Sequence, residues 1–180
     1  SELIAARKQK LLRLKERGVP AYPHRFSYTH RLAEVHQQCA SAGDTLSPEP
    51  VAVCGRLISL RDHGKSTFVH LEDATARLQV YVRQDVLGET VYAGLKDLDV
   101  GDFAGVKGTM MRTKTGELTV KATEVTLLAK ALRPLPEKWH GLKDADLRYR
   151  QRHVDLAASL EVREIFRMRA RAIQLVRDFL

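Results

Sequence analysis

From Val51 to Ala129 the apolar residues of this chain fall on alternate positions, and that period of two constrains the fold more than any other feature. A strand places successive side chains on opposite faces, so alternation over many residues describes sheet with one buried and one open face. "VAVCGRLISLR" is the first such run, "STFVHLED" the second and "ARLQVYVR" the third, with turn-forming residues at 62–65 and 73–76. "DVLGETVYAGLKDL" then changes to a helical pattern. Two further alternating runs, "GDFAGVKGTMMRTK" and "GELTVKATEVTLLA", are joined by a "TKTG" turn. Strand, strand, strand, helix, strand, strand at this size predicts a mainly β domain: an OB-fold, the five-stranded Greek-key barrel with a helix between strands 3 and 4. Gly55, Gly105 and Gly108 lie inside expected strands, where a small closed barrel must bend.

Helical segments flank this barrel. "SELIAARKQKLLRLKERG" reads as a basic helix closed by Gly18, and a short second helix is expected over 31–40 before a polar connection, "SAGDTLSPEP". Beyond the barrel, two prolines interrupt regular structure at 133–136, and "EVREIFRMRARAIQLVRDFL" carries Val162, Ile165, Phe166, Ile173, Val176 and Leu180 on one side of a helix. The expected division is a basic helical extension over 1–50, the barrel over 51–130, a connector over 131–160 and a further helix over 161–180.

The 180 residues carry a net charge of +8, which suggests a polyanionic partner. The excess is at the ends: residues 1–40 hold eight Lys/Arg against three Asp/Glu, residues 147–180 hold eight against four, and the middle is close to neutral. No apolar run approaches the roughly 20 residues that span a bilayer, and the first residues lack a signal peptide's apolar stretch, so a cytoplasmic protein without a membrane segment is expected. Cys39 and Cys54 form neither a disulfide framework nor a metal-ligand spacing, and the histidines have no metal-site spacing either. No metal is assigned. Asp62, His63 and Ser66 crowd one turn and cannot line up as nucleophile, base and orienter, so no catalytic residue is assigned.

"DHGKSTF" at 62–68 ends as a phosphate-cradling loop ends. The glycine that such a loop needs five positions earlier is Ser59, so its circumference is wrong for a triphosphate. The stretch is instead the turn between the first two strands, with Gly64 making it tight and Lys65 available to a phosphate. Phe68 then follows on the second strand. It could stack on an unpaired base, but residue type alone favours a place in the core. Gln79 must point away from the side occupied by Leu78 and Val80, and its amide can read a base edge. Arg61 and Glu117, at the end of strand 1 and the opening of strand 5, suit either base contacts or solvent.

"VAVCGRLISLRDHGKSTFVHLEDATARLQVYV", "TKTGELTV", "KALRPLPEKWHGLKDADLRYRQRHVDL" and "EVREIFRMRARAIQLVRDFL" closely resemble the N-terminal part of bacterial-type lysyl-tRNA synthetases, which are class II enzymes. The resemblance implies an anticodon-binding barrel in which Phe68 stacks on the central anticodon base, Gln79 contacts it, Arg61 contributes to that pocket and Glu117 serves a neighbouring base. It implies tRNA-backbone contacts for Lys8, Lys10 and Arg13 on the first helix, and homodimerisation of the full-length enzyme through the connector and the final helix, the start of the first class II motif. ATP and Mg2+ are implied for the full-length lysine–tRNA ligase and none within this segment. The second and third class II motifs do not follow Leu180, so this piece is expected to be inactive alone. Two other readings fit the residues: a sequence-tolerant single-strand binding module, and the synthetase-like domain of a lysyl-phosphatidylglycerol synthase fusion.

Overall fold

The computed structural model describes residues 2–41, 49–136 and 144–180, so much of the 41–50 connection and the "EKWHGLK" part of the connector lie outside the described residues. Two units are present, 1–134 and 135–180.

The first unit is built on five strands: β1 (Val51–Asp62), β2 (Ser66–Glu72), β3 (Arg77–Arg83), β4 (Phe103–Arg112) and β5 (Leu118–Ala129). They close into a barrel in the order β1-β2-β3-β5-β4, as the alternation predicts. All neighbours are antiparallel except β3 and β5, which run parallel over Gln79↔Thr119, Val80↔Val120 and Tyr81↔Lys121. Val53, Leu57, Val69, Leu71, Leu78, Val80, Val82, Val106 and Val120 turn inward and are buried. The helical insertion is two helices where one was expected, α3 (Gln84–Leu87) and α4 (Glu89–Leu95), parted at Gly88, whose φ of +82° cannot continue a helix.

Backbone crowding is greatest where β5 crosses β4. At Gly108 the register slips by one residue, and an added Cβ would lie 2.1 Å from the Lys121 carbonyl oxygen.

The N-terminal helices, α1 (Glu2–Glu16) and α2 (Leu32–Ser41), share the barrel's core, with Leu14, Leu32, Val35 and Cys39 buried in it. Asp73, in the β2–β3 turn, caps α2 from outside: Oδ2 accepts from the Leu32 N–H, while Oδ1 accepts from the N–H groups of Thr75 and Ala76.

The basic face of α1 makes ion pairs within the unit. Lys10 pairs with Asp99 at 2.6 Å, and Arg13 and Arg17 both hold Asp97, at 2.7 and 3.1 Å. Arg7 donates to the carbonyls of Val100 and Ala131. Behind Asp99, the fully buried Lys130 bridges Asp99 at 2.5 Å and Asp102 at 2.7 Å. The turn before β4 is acidic, and it takes up the cations that sequence alone suggests for an external polyanion. Lys8 stays exposed.

In the second unit, α5 (Ala145–Arg150) is capped by Asp144, and α6 (Arg152–Ala158) buries Asp155 against Arg148 and Arg152. A 20-residue helix, α7 (Leu160–Phe179), follows; its Val162 is buried, whereas Ile165, Met168, Ile173, Val176 and Phe179 are exposed. Among the described residues no helix is long and apolar enough to cross a membrane.

Two outcomes are expected. Gly108→Ala lowers stability by about 1–3 kcal/mol or more through overpacking, read as a lower urea midpoint at unchanged m; an unchanged midpoint would show that the strands part at no cost. For Asp99, burial pushes the carboxyl up, but hydrogen bonds and charge from Lys10 and Lys130 outweigh it and hold the group below its ordinary 3.8. A carboxyl depressed by folding contributes stability above its unfolded value and loses it as pH falls through the folded one. Asp99→Asn should therefore be less stable at neutral pH, with a urea midpoint that changes less than the parent's between about pH 4 and pH 2.

Candidate nucleic-acid interface

The outward side chains of β2 and β3 are set by the same alternation that fills the core. With Val69 and Leu71 inside, Phe68 and His70 face out; with Leu78, Val80 and Val82 inside, Gln79 and Tyr81 face out. Cross-strand pairing then sets Phe68 opposite both Arg61 of β1 and Tyr81 of β3, and His70 opposite Gln79. The β4–β5 turn overhangs this surface, closed by the Thr113 N–H donating to the Glu117 carbonyl at 3.0 Å and by Gly116 at a φ of +82°.

The result is a groove of about 510 Å3 lined by Arg61, His63, Phe68, Gln79, Tyr81, Met111, Thr113, Lys114, Thr115 and Glu117. All four residues expected to touch bases, Arg61, Phe68, Gln79 and Glu117, line it together. Phe68 is half-buried and belongs to the groove rather than the core. Its ring stacks on Tyr81 at 4.6 Å between centroids and 27° between planes, and His63 meets it edge-on at 5.9 Å.

Polar groups beside this aromatic pair form one chain. The Ser59 hydroxyl and His70 Nδ1 are 2.7 Å apart, and His70 Nε2 lies 3.2 Å from Glu117 Oε1. Glu117 Oε2 accepts from Gln79 Nε2 at 2.7 Å, and the buried Thr119 hydroxyl donates to Gln79 Oε1 at 2.8 Å. The Gln79 amide has two N–H groups and two lone pairs on its oxygen; one of each is taken here, leaving one donor and one acceptor for a ligand. An aromatic surface for a ring next to an amide with one free donor and one free acceptor is suited to a nucleobase.

The expected backbone contacts are dispersed. Lys65 lines an adjoining groove of about 600 Å3 with Ser66, Tyr81, Arg83, Gln84, Asp85, Gly88 and Glu89, so it meets the base groove only through Tyr81. Its turn is tight as expected: Gly64 has a φ of +79°, and its N–H donates to Asp62 Oδ1 at 2.9 Å. Lys10 and Arg13 pair with Asp99 and Asp97, as described above, and the Arg13 side chain stays 47% exposed. Sequence reasoning missed Tyr81, His63 and His70. Tyr81 was within reach, because it sits two residues beyond Gln79 and must share its face. His70 and Thr119 become visible only when distant strands pair.

Residues 51–128 match a family model described as the tRNA anticodon OB-fold nucleic acid binding domain. Over its whole length the chain is similar to curated proteins named lysine–tRNA ligase: 46% identical over 180 residues to that of Moorella thermoacetica, covering 100% of this chain and 36% of the relative. The Magnetococcus marinus ligase is 47% identical over 183 residues with the same coverage, and that of Thermosipho africanus is 43% identical over 180 residues, covering 97% of this chain and 36% of the relative. The chain thus spans about a third of the length of these relatives.

Proposed function

We propose that the groove across β2, β3 and β5, within the residues 51–128 that match the tRNA anticodon OB-fold model, takes the anticodon loop of a lysine tRNA. The observation that carries the reading is convergence. Arg61, Phe68, Gln79 and Glu117 come from four separate stretches of sequence and line one groove. The central anticodon base stacks on Phe68, whose ring is backed by Tyr81, and the remaining donor and acceptor of Gln79 meet that base's edge. Arg61, beside Phe68 in the strand pairing, offers charge to a base or phosphate. Glu117 retains lone pairs beyond those used by His70 and Gln79, and its side chain is 47% exposed, so it can also accept from a neighbouring base. Lys8, Lys65 and the groove-lining Lys114 are the cations disposed toward phosphate, which positions the loop while the bases specify it.

The relatives' name favours this reading over a sequence-tolerant single-strand binder and over a lysyl-phosphatidylglycerol synthase fusion. For the whole protein we read the activity as that of the relatives, ligation of lysine to its tRNA with ATP and Mg2+. The share that falls to this chain is choosing the tRNA, with adenylate formation belonging to the rest of the enzyme.

Phe68→Ala is expected to weaken binding of a lysine anticodon stem-loop by about 1–3 kcal/mol, and Tyr81→Ala by about 1 kcal/mol. A titration unchanged by Phe68→Ala would refute the assigned pocket. An oligopyrimidine strand that competes as well as the stem-loop would favour the sequence-tolerant binder. In a salt series, Lys8→Ala and Lys65→Ala should each reduce the log–log slope by about 1, whereas Lys10→Ala should lower stability and leave the slope alone.

A further inference from the structure

The least expected feature of the groove is that its one base-reading amide is held by a carboxylate. Gln79 is 38 residues from Glu117 in sequence, yet Gln79 Nε2 donates to Glu117 Oε2 at 2.7 Å, while the Thr119 hydroxyl donates to Gln79 Oε1 at 2.8 Å. An amide can generally turn over end for end, exchanging its oxygen and its NH2 at little cost, because both ends have similar shape. Here the ends are not equivalent. The Thr119 hydroxyl can donate or accept, so it tolerates either end. The ionised carboxylate accepts only, and a turned amide would set two acceptor oxygens face to face with no proton between them.

We propose that Glu117 is a positioning residue that fixes which way round the Gln79 amide lies, and that through this it makes the groove select uracil over cytosine at the central anticodon position. The inference rests on the anticodon reading above. The two pyrimidines stack alike on Phe68 and differ in the order of their edge groups. Uracil presents an acceptor, O4, beside a donor, N3–H; cytosine presents a donor amino group beside an acceptor, N3. An amide free to turn over satisfies either base, whereas an amide held one way round satisfies one and opposes the other. Lysine codons carry adenine in the middle, so the base to be accepted is uracil and the one to be refused is cytosine.

Glu117 is equipped for this role. Its Oε1 is approached by His70 Nε2 at 3.2 Å, whose other ring nitrogen is anchored by Ser59 at 2.7 Å. Its backbone N–H donates to the Thr113 hydroxyl at 3.1 Å, inside the β4–β5 turn. Gln79 itself is only 8% exposed, so little water is available to stabilise the turned amide.

The test compares the chain with its Glu117→Gln and Thr119→Val variants. Each is titrated with three anticodon stem-loops that differ only at the central position: uracil, cytosine or an abasic site. The parent should prefer uracil over cytosine by about tenfold or more. Glu117→Gln puts an amide opposite Gln79 that can donate as well as accept, so both arrangements become possible. The preference should then fall by about fivefold or more, because the cytosine loop gains relative to the uracil loop, whatever common change all three loops show from the neighbouring-base contact of Glu117. Thr119→Val should reduce the preference less. A Glu117→Gln variant that keeps the parent's preference overturns the inference. So does one that weakens all three loops by a common factor, since the ratio between uracil and cytosine is then the parent's. A larger effect from Thr119→Val would also overturn it, by making Thr119 the controlling residue. If the parent itself shows no preference between uracil and cytosine, the anticodon reading fails first.

Discussion

The rest of the first unit depends on three residue pairs: Gln79↔Thr119, Val80↔Val120 and Tyr81↔Lys121. Without this parallel seam β3 and β5 would be open edges, and the five strands would form a curved sheet exposing unpaired backbone groups. With it, the barrel closes and Val80 and Val120 meet inside as fully buried neighbours. Because side chains alternate, the residues on either side of that apolar pair must face out together. One pair of them is Gln79 and Thr119, already hydrogen-bonded, and the turn leading into β5 brings Glu117 against the same amide. The contact that completes the fold therefore also assembles the polar half of the groove. Parallel pairing over so short a stretch is weak by itself, and it is backed by the long antiparallel β4–β5 ladder, whose slip at Gly108 lets β5 turn from one neighbour toward the other.

Charge is divided between structure and binding according to burial. Exposed ion pairs contribute little, whereas breaking a buried pair leaves a desolvated charge without compensation. Lys130, with no exposed side-chain surface, sits between Asp99 and Asp102, and Asp99 also receives Lys10. This cluster joins the end of β5, the turn before β4 and the first helix, so the basic helix is docked by the same carboxylates that neutralise a buried lysine. The net positive charge of the chain consequently overstates what faces a partner. Apart from this cluster, Lys114 lines the groove and Lys65 the adjoining one.

The barrel was legible in the sequence because period-two alternation and turn residues are local signals that burial reinforces. Gln79 was legible for a related reason: a glutamine between Leu78 and Val80 can occupy only the opposite face. Phe68 was misplaced by residue type alone, which favours the core for a phenylalanine. The resemblance pointed to the platform, and the position of Phe68 opposite Arg61 and Tyr81 gives it a place in the groove. The ion pairs of Lys10 and Arg13 could not be read from the sequence because their partners, Asp99 and Asp97, lie more than 80 residues away, where local pattern carries no information. The two-helix insertion was misread as one because Gly88 within a helical pattern can be tolerated or can end the helix, and its positive φ decides in favour of ending it.

On the anticodon reading proposed for the groove, affinity and selectivity would be built on different parts of the same surface. Phe68 and Tyr81 belong to adjacent antiparallel strands within one hairpin, so the stacking platform is local and needs only β2 and β3 to be paired. The amide's anchors come from β5 and its turn, so its orientation needs the barrel closed. Loosening the seam would leave a surface that still stacks any base while losing the fixed donor and acceptor order of Gln79. A groove of this construction fails first in discrimination and only later in binding, because stacking tolerates displacement and turning of the base whereas hydrogen bonds to its edge do not.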